Sequence, residues 1–195
     1  MPMNAYHRRY CASPDWASLV ENDLLPWALD GVALGEDVLE IGPGLGVTTR
    51  LLTRRVPRLT ALEVDAAFAA ALVREFADRP EPVEIVTGDG AAMPFPDGRF
   101  SAAVCFTMLH HVPSAARQDQ LFAEAFRVLR PGGVFAGSDS RSSWRFRLAH
   151  LFDTMTVVDP RTLPRRLAAA GFTDVRVQAG KAVRFVGYKR QLEDR

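Results

Sequence analysis

The stretch "DVLEIGPGLGVTTRLL", residues 37–52, passes from an apolar run into three glycines spaced two apart and then into residues at helical spacing. Val38–Ile41 reads as a strand and residues 47–55 as a helix. Strand, tight turn and helix in that order are the opening of an α/β unit. In doubly wound sheets the ligand lies beyond the carboxyl end of such a strand. Gly42, Gly44 and Gly46 supply positive φ and carry no Cβ to hold a ligand away from the backbone, and the helix start adds unsatisfied N–H groups. The spacing is G-x-G-x-G. A dinucleotide fingerprint, G-x-G-x-x-G, would need glycine at 47, where the chain has Val47, and this disfavours a nicotinamide oxidoreductase. Taken alone, the turn also fits a strand-to-helix connection with no ligand.

Outward from this stretch, strand and helix patterns alternate. Residues 59–64 read as a second strand, and Phe68, Leu72 and Phe76 mark one face of a helix over 66–77. Strands are expected at 83–87, 100–106 and 134–137, and a helix over 114–130 is stopped by Pro131-Gly132-Gly133. A helix from 160 or 161 to 170 closes at Gly171. The last two β-rich runs, 174–178 and 182–188, are joined by "AGK", too short for a parallel crossover, so they pair as an antiparallel hairpin. The expected fold is therefore a three-layer, Rossmann-like doubly wound sheet, mainly parallel with its last strand antiparallel. Residues 1–35 form a helical extension ahead of a domain at 36–195. In that extension Ser13 is a cap, Pro14 sits in a first turn, and Pro26 predicts a bend.

Two acids follow the glycine turn at strand ends. Glu63, 21 residues after Gly42, is placed to accept hydrogen bonds from both hydroxyls of a ribose. Asp65 starts the next helix as its N-cap. Asp89, directly after the third strand, can accept from an adenine amino group, with the Gly90 N–H available to a ring nitrogen. Asp89-Gly90 is also an ordinary turn dipeptide.

Together, "VLEIGPGLGVTT", "LEVD", "GDGAAMPFPDGRFSAAVCFTMLHHV" and "RVLRPGGVFAGSD" resemble the motif series of class I S-adenosylmethionine-dependent methyltransferases, in order over about residues 36–140. The Met93-Pro94-Phe95 turn and "LHH" resemble most the small-molecule branch that includes ubiquinone/menaquinone biosynthesis methyltransferases. The resemblance implies a seven-stranded sheet with S-adenosylmethionine as cofactor. It implies that Glu40 and the Gly42–Gly46 loop hold the methionine part, Glu63 the ribose and Asp89 the adenine. Val64 would pack on the adenine face, and Phe106 and Thr107 would line the methionine end.

Methyl transfer from an activated donor depends largely on placement, and a base is needed only where the nucleophile must lose a proton. His110 and His111, just past the fourth strand, are candidates for that base; packing and loop contact are their other reading. Tyr6, His7, Tyr10 and Trp16 are candidates for a lid, or for packing anchors. Between the fifth strand and the closing helix, Asp139, Arg141, Trp144, Arg145, Arg147 and His150 are substrate-side candidates, or an ordinary polar surface. The short insertion favours a small-molecule or lipid-like acceptor over a polymer.

Composition narrows the classes further. The chain has 195 residues, 48% hydrophobic and 24% charged, with a net charge of +1. It is expected to be a single globular domain, cytoplasmic, and a monomer or homodimer; no apolar run reaches membrane-spanning length. Cys11 and Cys105 are expected to be reduced, and no metal-ligand pattern appears. Residues 1–129 carry 11 Lys/Arg and 17 Asp/Glu, and 130–195 carry 13 and 6, giving −6 and +7. The dispersed basic charge and the lack of a stacking platform argue against nucleic acid. The glycine loop and "LEVD" also resemble ribosomal RNA adenine dimethyltransferases. Those enzymes carry an Asn- or Asp-Pro-Pro-aromatic motif where this chain reads "CFTMLHH", which argues against adenine N6 methylation. Another RNA target and a noncatalytic cofactor-binding protein remain alternatives.

Overall fold

The computed structural model describes residues 5–79, 83–141 and 155–191, with side chains from Arg8 onward at the amino-terminal end. Its extension holds α1 (Ala5–Cys11), α2 (Pro14–Leu19), a π-helical turn (Val20–Leu24) and α3 (Leu25–Ala28). The sheet and its crossings follow: β1 (Asp37–Ile41), α4 (Val47–Leu52), β2 (Arg58–Glu63), α5 (Ala66–Phe76), β3 (Val83–Thr87) and β4 (Phe100–Phe106). After a 3₁₀ turn (Leu109–His111) come α6 (Ala115–Val128), β5 (Leu129–Ser140), α7 (Leu163–Ala169), β6 (Thr173–Ala179) and β7 (Ala182–Tyr188).

The seven strands lie in the order β3-β2-β1-β4-β5-β7-β6. Strands β1 to β5 pair in parallel, and β7 runs antiparallel to both β5 and β6, as the short β6–β7 connection requires. Strand β1 pairs with β2 on one side and β4 on the other, so the chain winds outward twice from this seam. The crevice beyond Ile41 and Phe106 is therefore the switch point where ligands bind in such sheets.

Alternation along the central strands divides the core between two faces. Leu39, Ile41, Ala103, Cys105 and Phe135 point to one face, packed with Leu121, Phe122, Leu163 and Leu167 of α6 and α7. Val38, Ala102, Val104 and Ala136 point to the other, packed with Leu52, Val20, Leu25 and Ala28. The extension is thus built into the core from Val20 onward. Every residue of β4 is buried, as expected of a central strand covered on both faces.

Caps and stops set the helix limits. Ser13, Asp65 and Ser114 each accept a backbone N–H in the first turn of α2, α5 and α6. Helix α4 ends at Leu52, three residues short of the expected limit, where the chain loosens ahead of Pro57. Helix α6 ends at Val128, before the Pro-Gly-Gly stop, because Leu129 (ψ 138°) is already extended and pairs with Phe100. Strand β5 therefore begins earlier than expected, and a register shift between Phe100 and Ala102 absorbs residues 130–133. Pro26 lies in the first turn of α3, and the irregularity it predicts takes the form of the π-helical turn before it.

Candidate functional site

A cavity of about 640 Å³ opens at the switch point. Its floor is the loop after β1, one edge is made by residues after β2 and β3, the opposite side by residues after β4, and one wall by the amino-terminal extension.

The loop is held from below. Glu40 is 1% exposed and accepts hydrogen bonds from the hydroxyls of Thr48 and, at 2.7 Å, Thr49 in the first turn of α4. Burial pushes its carboxyl up to about 7, against the lowering effect of the two hydroxyls, and the nearby Glu63 charge raises it further. Glu40 therefore sits beneath the cradle, while Gly42, Gly44 and Thr48 face the cavity. Gly46 is the left-handed N-cap of α4 (φ 74°) and packs under Leu72: a Cβ there would lie 2.5 Å from Leu72 Cδ2. Gly44 is also left-handed (φ 55°), but a Cβ would meet nothing within 4 Å. The first glycine serves packing and the second keeps space open.

Glu63, 5% exposed at the end of β2, accepts from Gly44 N–H at 2.9 Å through Oε2 and from Asp65 N–H at 2.9 Å through Oε1. Each oxygen keeps acceptor capacity for a further donor. Val64 beside it is 59% exposed and lines the cavity, an apolar face turned to the ligand space. After β3, Asp89 Oδ1 accepts from Ala91 N–H at 2.8 Å, and Oδ2 is paired with the Arg117 guanidinium. Gly90 lies against Ile41 and Leu121.

After β4, Phe106, Thr107 and Met108 line the cavity. Thr107 has φ 51°, a left-handed conformation that costs a β-branched residue of order 1–3 kcal/mol. Its N–H bonds to Ser138 O at 2.8 Å, tying the end of β4 to β5. His110 and His111 both line the cavity with ring centroids 4.1 Å apart. His110 is 1% exposed. Its backbone N–H donates to Asp139 Oδ2 at 2.8 Å, and its Nδ1 lies 2.5 Å from Asp139 Oδ1. A carboxylate only accepts, so this contact places a proton on Nδ1.

The remaining sequence candidates scatter. Tyr10 and Trp16 are together at the cavity, ring centroids 5.5 Å apart, with Val20 and Leu24 continuing the wall. Asp139 is buried behind His110, and Arg141 donates to Gly180 O at the β6–β7 turn, 2.8 Å away. Trp144, Arg145, Arg147 and His150, and the side chains of Tyr6 and His7, lie outside the described residues. Both cysteines are free; Cys11 lines the cavity and burial pushes its thiol up to about 11.

Among the cavity residues that the sequence reading did not single out are Thr48 and Arg117. Thr48 had a signal, since it follows the glycine turn within the quoted motif. Arg117 had none, because its partner is 28 residues away on another element.

This donor set fits S-adenosylmethionine: backbone at Gly44 with no Cβ in the way, a strand-end carboxylate at Glu63 and a second at Asp89 with acceptor capacity left for hydroxyl or amino donors, and an apolar face at Val64. With the 3-2-1-4-5-7-6 sheet, these features define a Rossmann-like S-adenosylmethionine-dependent methyltransferase domain of class I, and S-adenosylmethionine is its cofactor. The chain belongs to the methyltransferase domain family whose model matches residues 39–137.

Similar proteins differ in acceptor. A probable S-adenosylmethionine-dependent methyltransferase of Mycolicibacterium smegmatis is 40% identical over 52% of this chain and 37% of its own. Ribosomal RNA small subunit methyltransferase A of Bordetella pertussis is 33% identical over 63% and 52%. A ubiquinone/menaquinone biosynthesis C-methyltransferase of Methylobacterium nodulans is 32% identical over 50% and 39%. The chain thus spans about half or less of the length of these relatives. The structure of a Pyrococcus horikoshii protein superposes with a TM-score of 0.77 at 18% identity, covering 97% of this chain and 100% of that one.

Proposed function

We propose that the protein transfers a methyl group from S-adenosylmethionine to a small-molecule or lipid-like acceptor. The observation that carries this reading is the Glu63 carboxylate bonded to the open Gly44 backbone at the switch point, facing an apolar wall formed by Tyr10, Trp16, Val20 and Leu24.

S-adenosylmethionine, when bound, supplies an activated methyl group. The protein's part is then to bind, orient and exclude water. Glu63 would accept from the ribose hydroxyls and Asp89 from the adenine amino group, with Val64 against the base. Glu40, through Thr48 and Thr49, fixes the loop that receives the methionine part. Phe106, Thr107 and Met108 close the far end, while Tyr10 and Trp16 cover the crevice as a lid from residues 1–35. His111 faces the cavity next to His110, whose ring is oriented by Asp139, and would take a proton from an acidic acceptor.

Isothermal titration is expected to give low-micromolar binding of S-adenosylmethionine, about 8 kcal/mol; no binding would sink the assignment. Acceptor identity is tested by methyl transfer to extracts of the native host, followed by mass spectrometry of labelled product. The ribosomal RNA relative supports a second reading, RNA as acceptor. Label appearing in RNA rather than in low-molecular-weight or lipid fractions would replace the first reading. Binding with no transfer to any fraction would favour a noncatalytic cofactor-binding role.

A further inference from the structure

We propose that Arg117 is a positioning residue for the nucleoside base, holding Asp89 in the rotamer that accepts the adenine amino group. The inference rests on the cofactor reading of the cavity. Asp89 is gripped from two sides: Oδ1 by Ala91 N–H in its own turn, and Oδ2 by the Arg117 guanidinium from α6. Each carboxylate oxygen has two acceptor positions, so one on each remains for a ligand.

Arg117 is itself held. Its backbone N–H donates to the Ser114 cap at 3.2 Å, and its second guanidinium nitrogen donates to Gln120 Oε1 at 2.8 Å. Leu121, one turn further along the same helix face, also lines the cavity. It closes on Gly90 so tightly that a Cβ there would lie 3.0 Å from Leu121 Cδ1. The base end of the cavity is therefore bounded by consecutive turns of α6, and little freedom is left to a base that must meet Asp89. Arg117 and Asp89 are 41% and 45% exposed as side chains, and an ion pair so exposed adds little to folding. Its effect falls on preorganisation, because a carboxylate already locked loses less freedom when a ligand arrives.

The test is isothermal titration with S-adenosylhomocysteine and with 5′-methylthioadenosine, which carries base and ribose but no amino-acid part. Arg117→Ala is expected to weaken both ligands equally, by about two- to fivefold. Arg117→Lys is expected to restore part of the loss, since it keeps the charge but not the fork. In an Asp89→Asn background, Arg117→Ala should cause no further loss. Three results would overturn the proposal: Arg117→Ala binding both ligands like wild type while Asp89→Asn weakens them; tighter binding, which would make Arg117 a competitor for Asp89; or a loss confined to S-adenosylhomocysteine. Wild-type protein binding neither ligand would overturn the cofactor reading and this inference together.

Discussion

Glu40 shows how one buried carboxyl ties the glycine loop to pH. Its folded-state value of about 7 lies above the ordinary glutamate value near 4.5, because burial disfavours the charge. The folded protein therefore holds this proton more tightly than the unfolded chain does. The resulting stability is fully present below about pH 4.5 and is lost as pH rises through 7, by roughly 3 kcal/mol at most. Denaturant titrations at pH 5 and pH 8 should show wild type losing more stability over that interval than Glu40→Gln. A cationic cofactor nearby favours the ionised form, so binding of S-adenosylmethionine should release a proton below pH 7, measurable as a buffer-dependent enthalpy. Gly44 and Gly46 separate stability from binding at the same scale. Gly46→Ala meets Leu72 as well as the φ penalty and should destabilise by more than about 1 kcal/mol. Gly44→Ala has room for its methyl, so it should cost the fold less and cofactor affinity more.

At the scale of elements, α6 carries a function that its sequence did not announce. Its existence over 114–130 was readable, because the apolar spacing and the Pro131-Gly132-Gly133 stop are local. Its use as a wall of the cavity was not, because Arg117 and Leu121 acquire their neighbours only when α6 packs beside the loop after β3. Ser114→Ala should destabilise the protein by about 1 kcal/mol and also weaken cofactor binding through Arg117, a coupling that thermal melts with and without S-adenosylhomocysteine would separate. The β6–β7 hairpin was legible for a covalent reason, since a three-residue link cannot make a parallel crossover. The strand-end position of the two acids was legible too, because the apolar runs mark where the strands stop: Glu63 is the last residue of β2, and Asp89 follows the end of β3. Element limits were less so. Leu129 leaves α6 to pair with Phe100, and a partner 29 residues away leaves no mark on the local pattern. Asp139, a substrate-side candidate or an ordinary polar residue by sequence, gives its carboxylate to His110 and Ser140, partners that the local pattern does not show.

Across the whole molecule, the extension divides at the π-helical turn. Helix α2 has no buried residue, whereas Val20, Leu25 and Ala28 are 0–3% exposed in the core shared with β1, β4 and β5. A chain starting at Val20 loses Tyr10 and Trp16 from the wall, the latter packed partly buried against that core, and should bind cofactor more weakly with a smaller loss of stability than deeper truncation causes. A chain starting at Gly35 also loses those core side chains and should be destabilised on the order of 4 kcal/mol. Circular dichroism melts of the two truncations check both expectations.

The seam between β1 and β4 has a practical consequence. The loop beyond β1 and the residues beyond β4 belong to halves of the sheet joined through that one pairing, and a ligand in the crevice touches both. Occupancy is then a clasp across the joint, present only when the halves are assembled. At a hundred times its dissociation constant such a ligand adds about 2.7 kcal/mol to unfolding. The melting temperature thereby becomes a reporter: with S-adenosylhomocysteine saturating, any compound that raises it further marks itself as a candidate acceptor before a single turnover has been measured.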